Sequence, residues 1–140
     1  MQREPFDPDM IAGPQGVDEE TNRLSREIIG AAIEVHRTLG PGYLESMYEE
    51  ALCHELTLRG IPFLRQHAFA VSYKGHPIGE GRIDLLVGEK VIVELKTVDK
   101  FAPIHVAQAM SYLRAMNLKL ALLINFHLAT LKDGVKRVIV

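Results

Sequence analysis

Two strongly apolar segments limit the folds that this chain can adopt more than any other feature. They cover residues 82–87 and 91–96, on either side of Gly88-Glu89-Lys90. Short runs rich in leucine and β-branched residues that flank a glycine-containing turn predict a β-hairpin. Both faces of each strand are largely apolar, which is typical of central strands covered on two sides. The pattern therefore predicts a hairpin in the middle of a buried sheet.

Three charged residues, Asp84, Glu94 and Lys96, lie inside these apolar segments. A buried ionised carboxylate costs on the order of several kcal/mol unless something compensates it. A bound cation would compensate two acids, and a lysine beside them could orient a water molecule. This combination indicates a metal-dependent phosphodiesterase site. The alternative is a strand end that emerges into solvent, where Glu94 and Lys96 form a surface ion pair of little energetic value.

The register of the hairpin decides whether the two acids meet. A three-residue or bulged connection through residues 88–90 places Asp84 opposite Glu94, with Cβ atoms about 5 Å apart. A two-residue turn would place Asp84 opposite Val93 and send Glu94 to the other face. We predict the three-residue or bulged connection. Side chains alternate along a strand, so we expect the odd-numbered residues of the first strand to share one face: Ile83, Leu85 and Val87.

Oxygen ligands on two neighbouring strands suit Mg²⁺ or Mn²⁺, which favour carboxylates and keep several waters. Asp84 and Glu94 would supply two of these ligands, and the backbone carbonyl of Leu95 could add a third. Such an ion polarises a phosphate and lowers the pKa of an attacking water. Lys96 shares a strand face with Glu94, from which it could orient that water or stabilise the transition state.

Glu45 and Tyr48 form a second candidate group, at the start of a predicted helix. Their three-residue spacing places them on one helix face. Glu45 also lies in the first turn, where the helix dipole favours a carboxylate whether or not it is catalytic. The sequence alone leaves both explanations open. The neighbouring acids Glu49 and Glu50 are expected to be solvated surface residues.

A third candidate group lies on the last predicted helix, where three polar residues line one stripe: His105, Gln108 and Tyr112. Gln108 and Tyr112 could donate hydrogen bonds to a phosphate, a base edge or another site residue. They could equally form a polar seam that only orders the helix. The other histidines have no zinc-ligand spacing. Cys53 lies among apolar helical residues and is expected to fill the core.

Size and composition place the chain among ordinary single domains. It has 140 residues, of which 47% are hydrophobic and 24% charged. No apolar run approaches the roughly 20 residues needed to span a bilayer, so we expect no membrane association. The start of the chain lacks a secretory signal pattern, and one cysteine excludes an internal disulfide framework. The cytoplasm is the expected location.

Charge is unevenly distributed along the chain. Residues 1–20 hold one basic and six acidic residues, whereas residues 21–140 hold 15 basic and 12 acidic ones. Because residues 1–20 are rich in Pro, Gly and Asp and lack periodicity, we predict a flexible acidic tail followed by one domain. The mild positive charge of residues 21–140 is compatible with a phosphate-bearing substrate. It is well below the strongly basic profile that would itself indicate nucleic-acid binding.

Periodicity predicts the element order α-α-β-β-β-α-β-β. The helices are expected at residues 21–39, 43–59 and 103–117, and the strands at 63–73, 79–87, 91–96, 119–126 and 135–140. Lys74-Gly75-His76-Pro77 would form the turn between the first two strands. The helix between the third and fourth strands is a crossover, so part of the sheet should be parallel. The predicted fold class is therefore α/β, a mixed β-sheet flanked by helices.

Taken together, these segments resemble the GxxExxY protein family, a branch of the PD-(D/E)XK nuclease superfamily. The family motif corresponds to Gly42, Glu45 and Tyr48. Further similarity extends over much of the chain after residue 21, in residues 35–42, 82–87, 93–96, 108–113 and 123–126. The resemblance implies a restriction-endonuclease-like core. The proline of the superfamily's name is absent, because Ile83 precedes Asp84.

The resemblance also implies roles for the candidate residues. Asp84 and Glu94 would be the metal-binding acids and Lys96 the catalytic lysine. Glu45 would be an acid contributed close to the metal by the helix that precedes the sheet. The polar residues on the helix after the lysine strand would support the site: Gln108 and Tyr112.

The leading hypothesis is a Mg²⁺- or Mn²⁺-dependent nuclease that hydrolyses phosphodiester bonds, with DNA favoured over RNA. The alternative is a non-catalytic module that keeps the nuclease fold and binds nucleic acid or protein. A purely structural protein would leave three charged residues in core strands without a purpose. Dimerisation would help a chain of this size to clamp a duplex, and the sequence leaves the existence of a homodimer open.

Overall fold

Residues 16–140 are described by a computed structural model, and their elements follow the predicted order. The helices are α1 (Glu19–Leu39), α2 (Glu45–Leu58) and α3 (Pro103–Met116). The strands are β1 (Phe63–Tyr73), β2 (His76–Val87), β3 (Val91–Lys96), β4 (Leu120–Asn125) and β5 (Val135–Ile139), with a short 3₁₀ helix at Leu131–Gly134. No helix among these residues is long and apolar enough to cross a membrane.

The first helix begins two residues before its predicted start, because a side chain caps it. Asp18 precedes the helix in extended conformation, and its Oδ1 accepts a hydrogen bond from the backbone N–H of Thr21 at 2.7 Å. Residues 18–20, counted above with the acidic tail, thus form the cap and first residues of α1. Residues 1–15 of that predicted tail lie outside the described residues.

The second strand is longer than predicted, because the turn before it is tighter. Lys74 and Gly75 have φ values of +50° and +80°, as a two-residue hairpin turn requires. His76 and Pro77 therefore lie in β2, where they pair with Tyr73 and Ser72. The prediction that His76 and Pro77 belong to the turn is wrong. At this end β2 pairs with β1 but not with β3, so it tolerates Pro77, which a central strand would not.

The five strands form one sheet in the order β1-β2-β3-β4-β5. Strands β3 and β4 are parallel, and the other neighbours are antiparallel, so the predicted crossover through α3 is confirmed. Helices α1 and α2 cover one face, with Leu52, Leu56 and Val93 fully buried between the layers. Helix α3 covers the other face over Ile92 and Leu123. The central strands are thus buried on both sides.

The register of the central hairpin is the predicted one. Leu85 pairs with Val93 and Val87 with Val91, which leaves Gly88, Glu89 and Lys90 as the connection. Gly88 and Glu89 both have positive φ, +59° and +60°. Continued by one residue, this register brings Asp84 and Glu94 level with each other, as the predicted metal site requires.

The expected alternation of side chains fails just before Leu85. Leu85 packs beneath α1 and α2, whereas Ile83 packs beneath α3 together with Leu86. The prediction that Ile83 shares a face with Leu85 is therefore wrong. At the same level of the sheet Gln66, opposite Asp84, has a φ of +51°, and the β1–β2 ladder lacks a pair there. Beyond this point β3 no longer pairs with β2, and β1 and β2 continue as a two-stranded ribbon.

Candidate active site

The charged residues of the hairpin lie where β2 separates from β3. Asp84 Oδ2 accepts a hydrogen bond of 2.7 Å from the backbone N–H of Leu95. The carboxylate thus takes the place of a backbone carbonyl at the end of the β2–β3 ladder. Glu94 and Lys96 follow on β3, both on the face toward α3. The end of the ladder therefore fixes Asp84 beside β3.

Glu94 has the most perturbed environment in this group. The residue is only 8% exposed, and its carboxyl has a pKa raised to about 8. Burial is the largest cause, the charge of Asp84 and a side-chain hydrogen bond with Asp84 act in the same direction, and the charge of Lys96 opposes the shift. Glu94 Oε1 is buried without a hydrogen-bond partner among the described residues. An orphaned carboxylate oxygen of this kind would be satisfied by a bound cation.

Glu45 approaches the same group from α2. It is the first residue of the helix and is exposed, yet its carboxyl is partly shielded by protein. This desolvation raises the pKa of Glu45, the charge of Asp84 raises it further, and the charge of Lys96 lowers it. These effects require Glu45 to lie within electrostatic range of both residues. Four predicted site residues are thus brought to one region: Glu45, Asp84, Glu94 and Lys96.

The acids in the described part of the chain do not form a preformed cage for a metal. No group of three or more His, Cys, Asp or Glu side chains in residues 16–140 has the arrangement of a metal centre. Asp84 and Glu94 nevertheless suit Mg²⁺, which is commonly held by one or two carboxylates together with waters and substrate phosphates. The oxygen donors and the orphaned Glu94 oxygen therefore fit a hydrated divalent ion better than a fully protein-bound one.

A small pocket connects the lysine with α3. Its volume is about 40 Å³, and it is lined by Glu94, Lys96, His105, Gln108, Ala109, Tyr112 and Leu123. Gln108 and Tyr112 thus lie beside Lys96, as the helical stripe predicted. His105 has a structural task as well, because its Nδ1 accepts the backbone N–H of Ala102 at 3.0 Å at the start of α3. The pocket has room for about one to three waters and not for a nucleotide.

Tyr48 supports the site indirectly. Its side chain is fully buried and stacks on Phe126, with ring centroids 4.6 Å apart. The hydroxyl donates to the carbonyl of Gly40 and accepts the backbone N–H of Tyr43 at 3.2 Å. These contacts fold the loop before α2 against the helix, where Gly42 adopts a φ of +110°. Tyr48 therefore anchors the segment that presents Glu45.

A set of polar contacts behind Asp84 was not predicted. Glu49 is only 9% exposed, so the expectation of a solvated surface acid is wrong for this residue. Its Oε2 accepts a hydrogen bond from Arg65 Nε, and its Oε1 accepts one from Gln66 Nε2, both at 2.7 Å. Gln66 Nε2 also reaches Asp84 Oδ1 at 3.4 Å.

The sequence contains a weak signal for these contacts. Glu49 follows Glu45 by one helical turn, which places both acids on the same side of α2. Arg65 and Gln66 are consecutive polar residues in a strand. Because successive side chains point to opposite faces of the sheet, one of the two must lie on the face where an apolar residue would be expected. Glu50, in contrast, is exposed as expected, although it also pairs with Arg65.

Comparison with known protein families gives a match over most of the chain. A family model described as the PD-(D/E)XK nuclease superfamily matches residues 22–138. This range contains all four candidate residues near the point where β2 separates from β3: Glu45, Asp84, Glu94 and Lys96. No curated protein and no solved structure matches the chain.

Proposed function

Because this chain belongs to the PD-(D/E)XK nuclease superfamily, we propose that it is a Mg²⁺- or Mn²⁺-dependent nuclease that hydrolyses phosphodiester bonds in DNA. The supporting observation is the buried, unpartnered Glu94 Oε1 beside Asp84, where two strands separate. A carboxyl of this kind is unfavourable in a purely structural role, because its ionised form lacks compensation. A divalent ion supplies that compensation.

In this assignment Asp84 and Glu94 hold the ion, together with the backbone carbonyl of Leu95, and Glu45 lies close by. These residues would hold the ion, which would polarise the scissile phosphate and make an attacking water more acidic. The raised pKa of Glu94 means that this carboxyl must lose its proton for the ion to bind. Glu45 also has a raised pKa, which suits it to accept a proton from a water at the site.

Lys96 is the basic residue to which we assign a catalytic role. It is half-buried beside Glu94, so its ammonium acts in a partly desolvated environment where charge interactions are strong. There it orients the attacking water and stabilises the negative charge that develops on the phosphate. Gln108 and Tyr112 line the pocket next to Lys96 and contribute hydrogen bonds to the water or to the phosphate. Tyr48 holds the loop that presents Glu45.

Four finer assignments belong to the same proposal. Membership in the GxxExxY branch is supported by three residues: Gly42 has a positive φ, Tyr48 anchors the loop before α2, and Glu45 lies within range of the charges of Asp84 and Lys96. DNA as the substrate and the cytoplasm as the location rest on the sequence. A homodimer is supported by exposed apolar side chains next to the site, of which Leu44 is 66% and Met47 49% exposed. Sedimentation or light scattering would test the dimer.

The test of the nuclease is a cleavage assay on supercoiled, linear and single-stranded DNA and on RNA. Each substrate is incubated with Mg²⁺, Mn²⁺ or EDTA. We expect metal-dependent cutting of DNA by the wild type and a loss of about 10²–10³-fold in Lys96→Ala. The matched control is Lys100→Ala, which removes an exposed lysine from the segment that follows β3. The control should retain activity.

The other outcomes are equally informative. Cutting that survives Lys96→Ala would show that the lysine is misassigned or that a contaminant is responsible. Metal binding without cutting of any substrate would favour the non-catalytic binding module. Cutting of RNA alone would correct the substrate class and leave the metal site in place.

A further inference from the structure

A continuous set of hydrogen bonds connects Asp84 to α2 through β1. Arg65 Nε donates to Glu49 Oε2 at 2.7 Å, and Gln66 Nε2 donates to Glu49 Oε1, also at 2.7 Å. The same Gln66 nitrogen lies 3.4 Å from Asp84 Oδ1. The other oxygen of Asp84 accepts the N–H of Leu95 at 2.7 Å. We call Glu49, Arg65 and Gln66 the α2–β1 clamp.

The chemistry of an amide suits the centre of the clamp. Both neighbours of the Gln66 side chain are carboxylates, and the two N–H donors on its single amide nitrogen can bind them together without adding a charge. The Glu49 charge is balanced by Arg65, with which it forms an ion pair. The clamp therefore reaches Asp84 without placing an uncompensated negative charge beside it.

The backbone of Gln66 is adapted to the same purpose. Its φ is +51°, a left-handed conformation that non-glycine residues seldom adopt. The Gln66 carbonyl accepts a hydrogen bond of 2.9 Å from Arg82 Nη1 across the ribbon. This conformation interrupts the regular pairing of β1 with β2 opposite Asp84. It turns the amide side chain toward Glu49 and Asp84 instead of along the strand.

We propose that Gln66 is a positioning residue for the metal-binding site, held by Glu49 and Arg65, and that it fixes the orientation of the Asp84 carboxylate. This inference rests on the proposed function, in which Asp84 is a metal ligand. One hydrogen bond from Leu95 leaves the carboxylate free to rotate about that contact, whereas a second bond to the opposite oxygen defines its plane. Partners of this kind typically change metal affinity by about 10–100-fold.

The first measurement needs no metal. NMR measures the hydrogen-exchange rates of two backbone amides of β3. The Leu95 N–H donates to Asp84, whereas Val93 pairs with Leu85 in the regular β2–β3 ladder and serves as the reference. The variant is Gln66→Gly, because glycine accepts the left-handed conformation and removes the amide without backbone strain. We expect the Leu95 amide to exchange about five- to tenfold faster in the variant. The Val93 amide should exchange no faster than in the wild type, and the melting temperature should be no lower.

The second measurement is Mn²⁺ binding to the full chain without nucleic acid, followed by electron paramagnetic resonance or calorimetry. We expect Gln66→Gly to bind Mn²⁺ about 10–100-fold more weakly. Gln66→Glu, which keeps the length of the side chain but loses the donors, should be at least as weak. The matched control is Ala68→Gly, which introduces glycine at another exposed position of β1 and should bind like the wild type.

The outcomes separate this inference from the proposed function. An unchanged Leu95 exchange rate in Gln66→Gly would overturn the positioning role, as would equal acceleration of Leu95 and Val93 together with a lower melting temperature. If the wild type binds no Mn²⁺, the metal site of the proposed function fails. In that event the Leu95 exchange rate still decides whether Gln66 orients Asp84.

Discussion

At the scale of single residues, Glu94 is the least compatible with a simple apolar core. Its carboxyl is buried on β3, near the charge of Asp84 and with one oxygen unpartnered in the described part of the molecule. Burial alone favours the protonated form, and Lys96 is too weak an influence to reverse this. In the absence of metal, Glu94 is therefore mainly neutral at neutral pH. In the proposed function, the site would exchange this proton for a cation.

This exchange gives the metal-free protein a defined pH dependence. Folded Glu94 keeps its proton up to a pKa of about 8, whereas the ordinary value is 4.5. Because the folded state binds more protons between these values, stability is greatest below about pH 4.5 for this group and falls as pH rises to 8. Glu94→Gln should remove this loss of folding stability at rising pH.

The measurement is thermal unfolding in EDTA from about pH 5 to pH 9. We expect Glu94→Gln to melt roughly 4–8 °C above the wild type at the alkaline end, or about 1–2 kcal/mol, with a small difference at the acidic end. Asp133→Asn is a suitable control, since it neutralises an exposed acid far along the chain. Parallel curves for wild type and Glu94→Gln would show that Glu94 does not titrate in this range.

At the scale of elements, the start of α2 is held by a tyrosine and not by a capping side chain. Leu44 occupies the N-cap position and provides no side-chain hydrogen bond. Tyr48 instead binds the carbonyl of Gly40 and the N–H of Tyr43, and its ring stacks on Phe126 beside the end of β4. The orientation of this helix end therefore depends on a buried hydroxyl.

Tyr48→Phe should separate the hydroxyl from the ring. The variant keeps the stacking on Phe126 and loses the hydrogen bonds to Gly40 and Tyr43, so we expect a loss of about 1–2 kcal/mol in the free energy of unfolding. Urea denaturation measures this change. Tyr43→Phe, which alters an exposed tyrosine of the same loop, should leave stability within about 0.5 kcal/mol. Equal effects of the two substitutions would contradict the anchoring role.

Much of the element structure could be predicted because its causes are local. The connection at residues 88–90 and the apolar runs around it determine the hairpin register, and that register brings Asp84 to Glu94. The burial of Glu49 could not be predicted, because its partner Arg65 lies on another element. The conformation of Gln66 carries no local signal either, since glutamine has no preference for positive φ. Contacts between elements thus account for most of the missed residues.

At the scale of the whole molecule, the site depends on the packing of three elements. Glu45 comes from α2, Asp84 from β2 and Glu94 from β3, and two buried clusters on opposite faces of the sheet hold these elements together. An unfolded chain cannot present this arrangement to an ion. Metal binding should therefore stabilise the fold as a whole.

Thermal unfolding with and without Mn²⁺ tests this coupling. At a free concentration about 100 times the Kd, a ligand of the folded state adds about 2.7 kcal/mol, or roughly 10 °C for a domain of this size. The increase should be larger at about pH 8 than at pH 6, since Glu94 must lose its proton. Asp84→Asn should abolish most of the increase. An equal shift in wild type and Asp84→Asn would indicate binding elsewhere on the chain.

The charge distribution leads to a second prediction at this scale. Residues 1–15 hold one basic and three acidic residues, so their removal changes the net charge from -2 to zero. We expect the shortened chain to bind DNA more tightly at low salt and equally at high salt, because added ions screen the difference. The shortening should end before Asp18, which caps α1. Salt titrations of DNA binding measure the effect, and unchanged affinity at low salt would contradict it.

The interruption of β1 at Gln66 has a consequence for the solubility of the protein at high concentration. Strand β1 is an outer strand of the sheet, and the free edge of an outer strand can template fibril-like pairing between molecules. Its ladder is irregular at Gln66 and again between Val71 and Ser72, so only residues 67–71 form a regular stretch between these points. Stacked fibrils generally need segments of about six or seven residues. The kink that serves Asp84 thus also protects the protein from self-association along this edge.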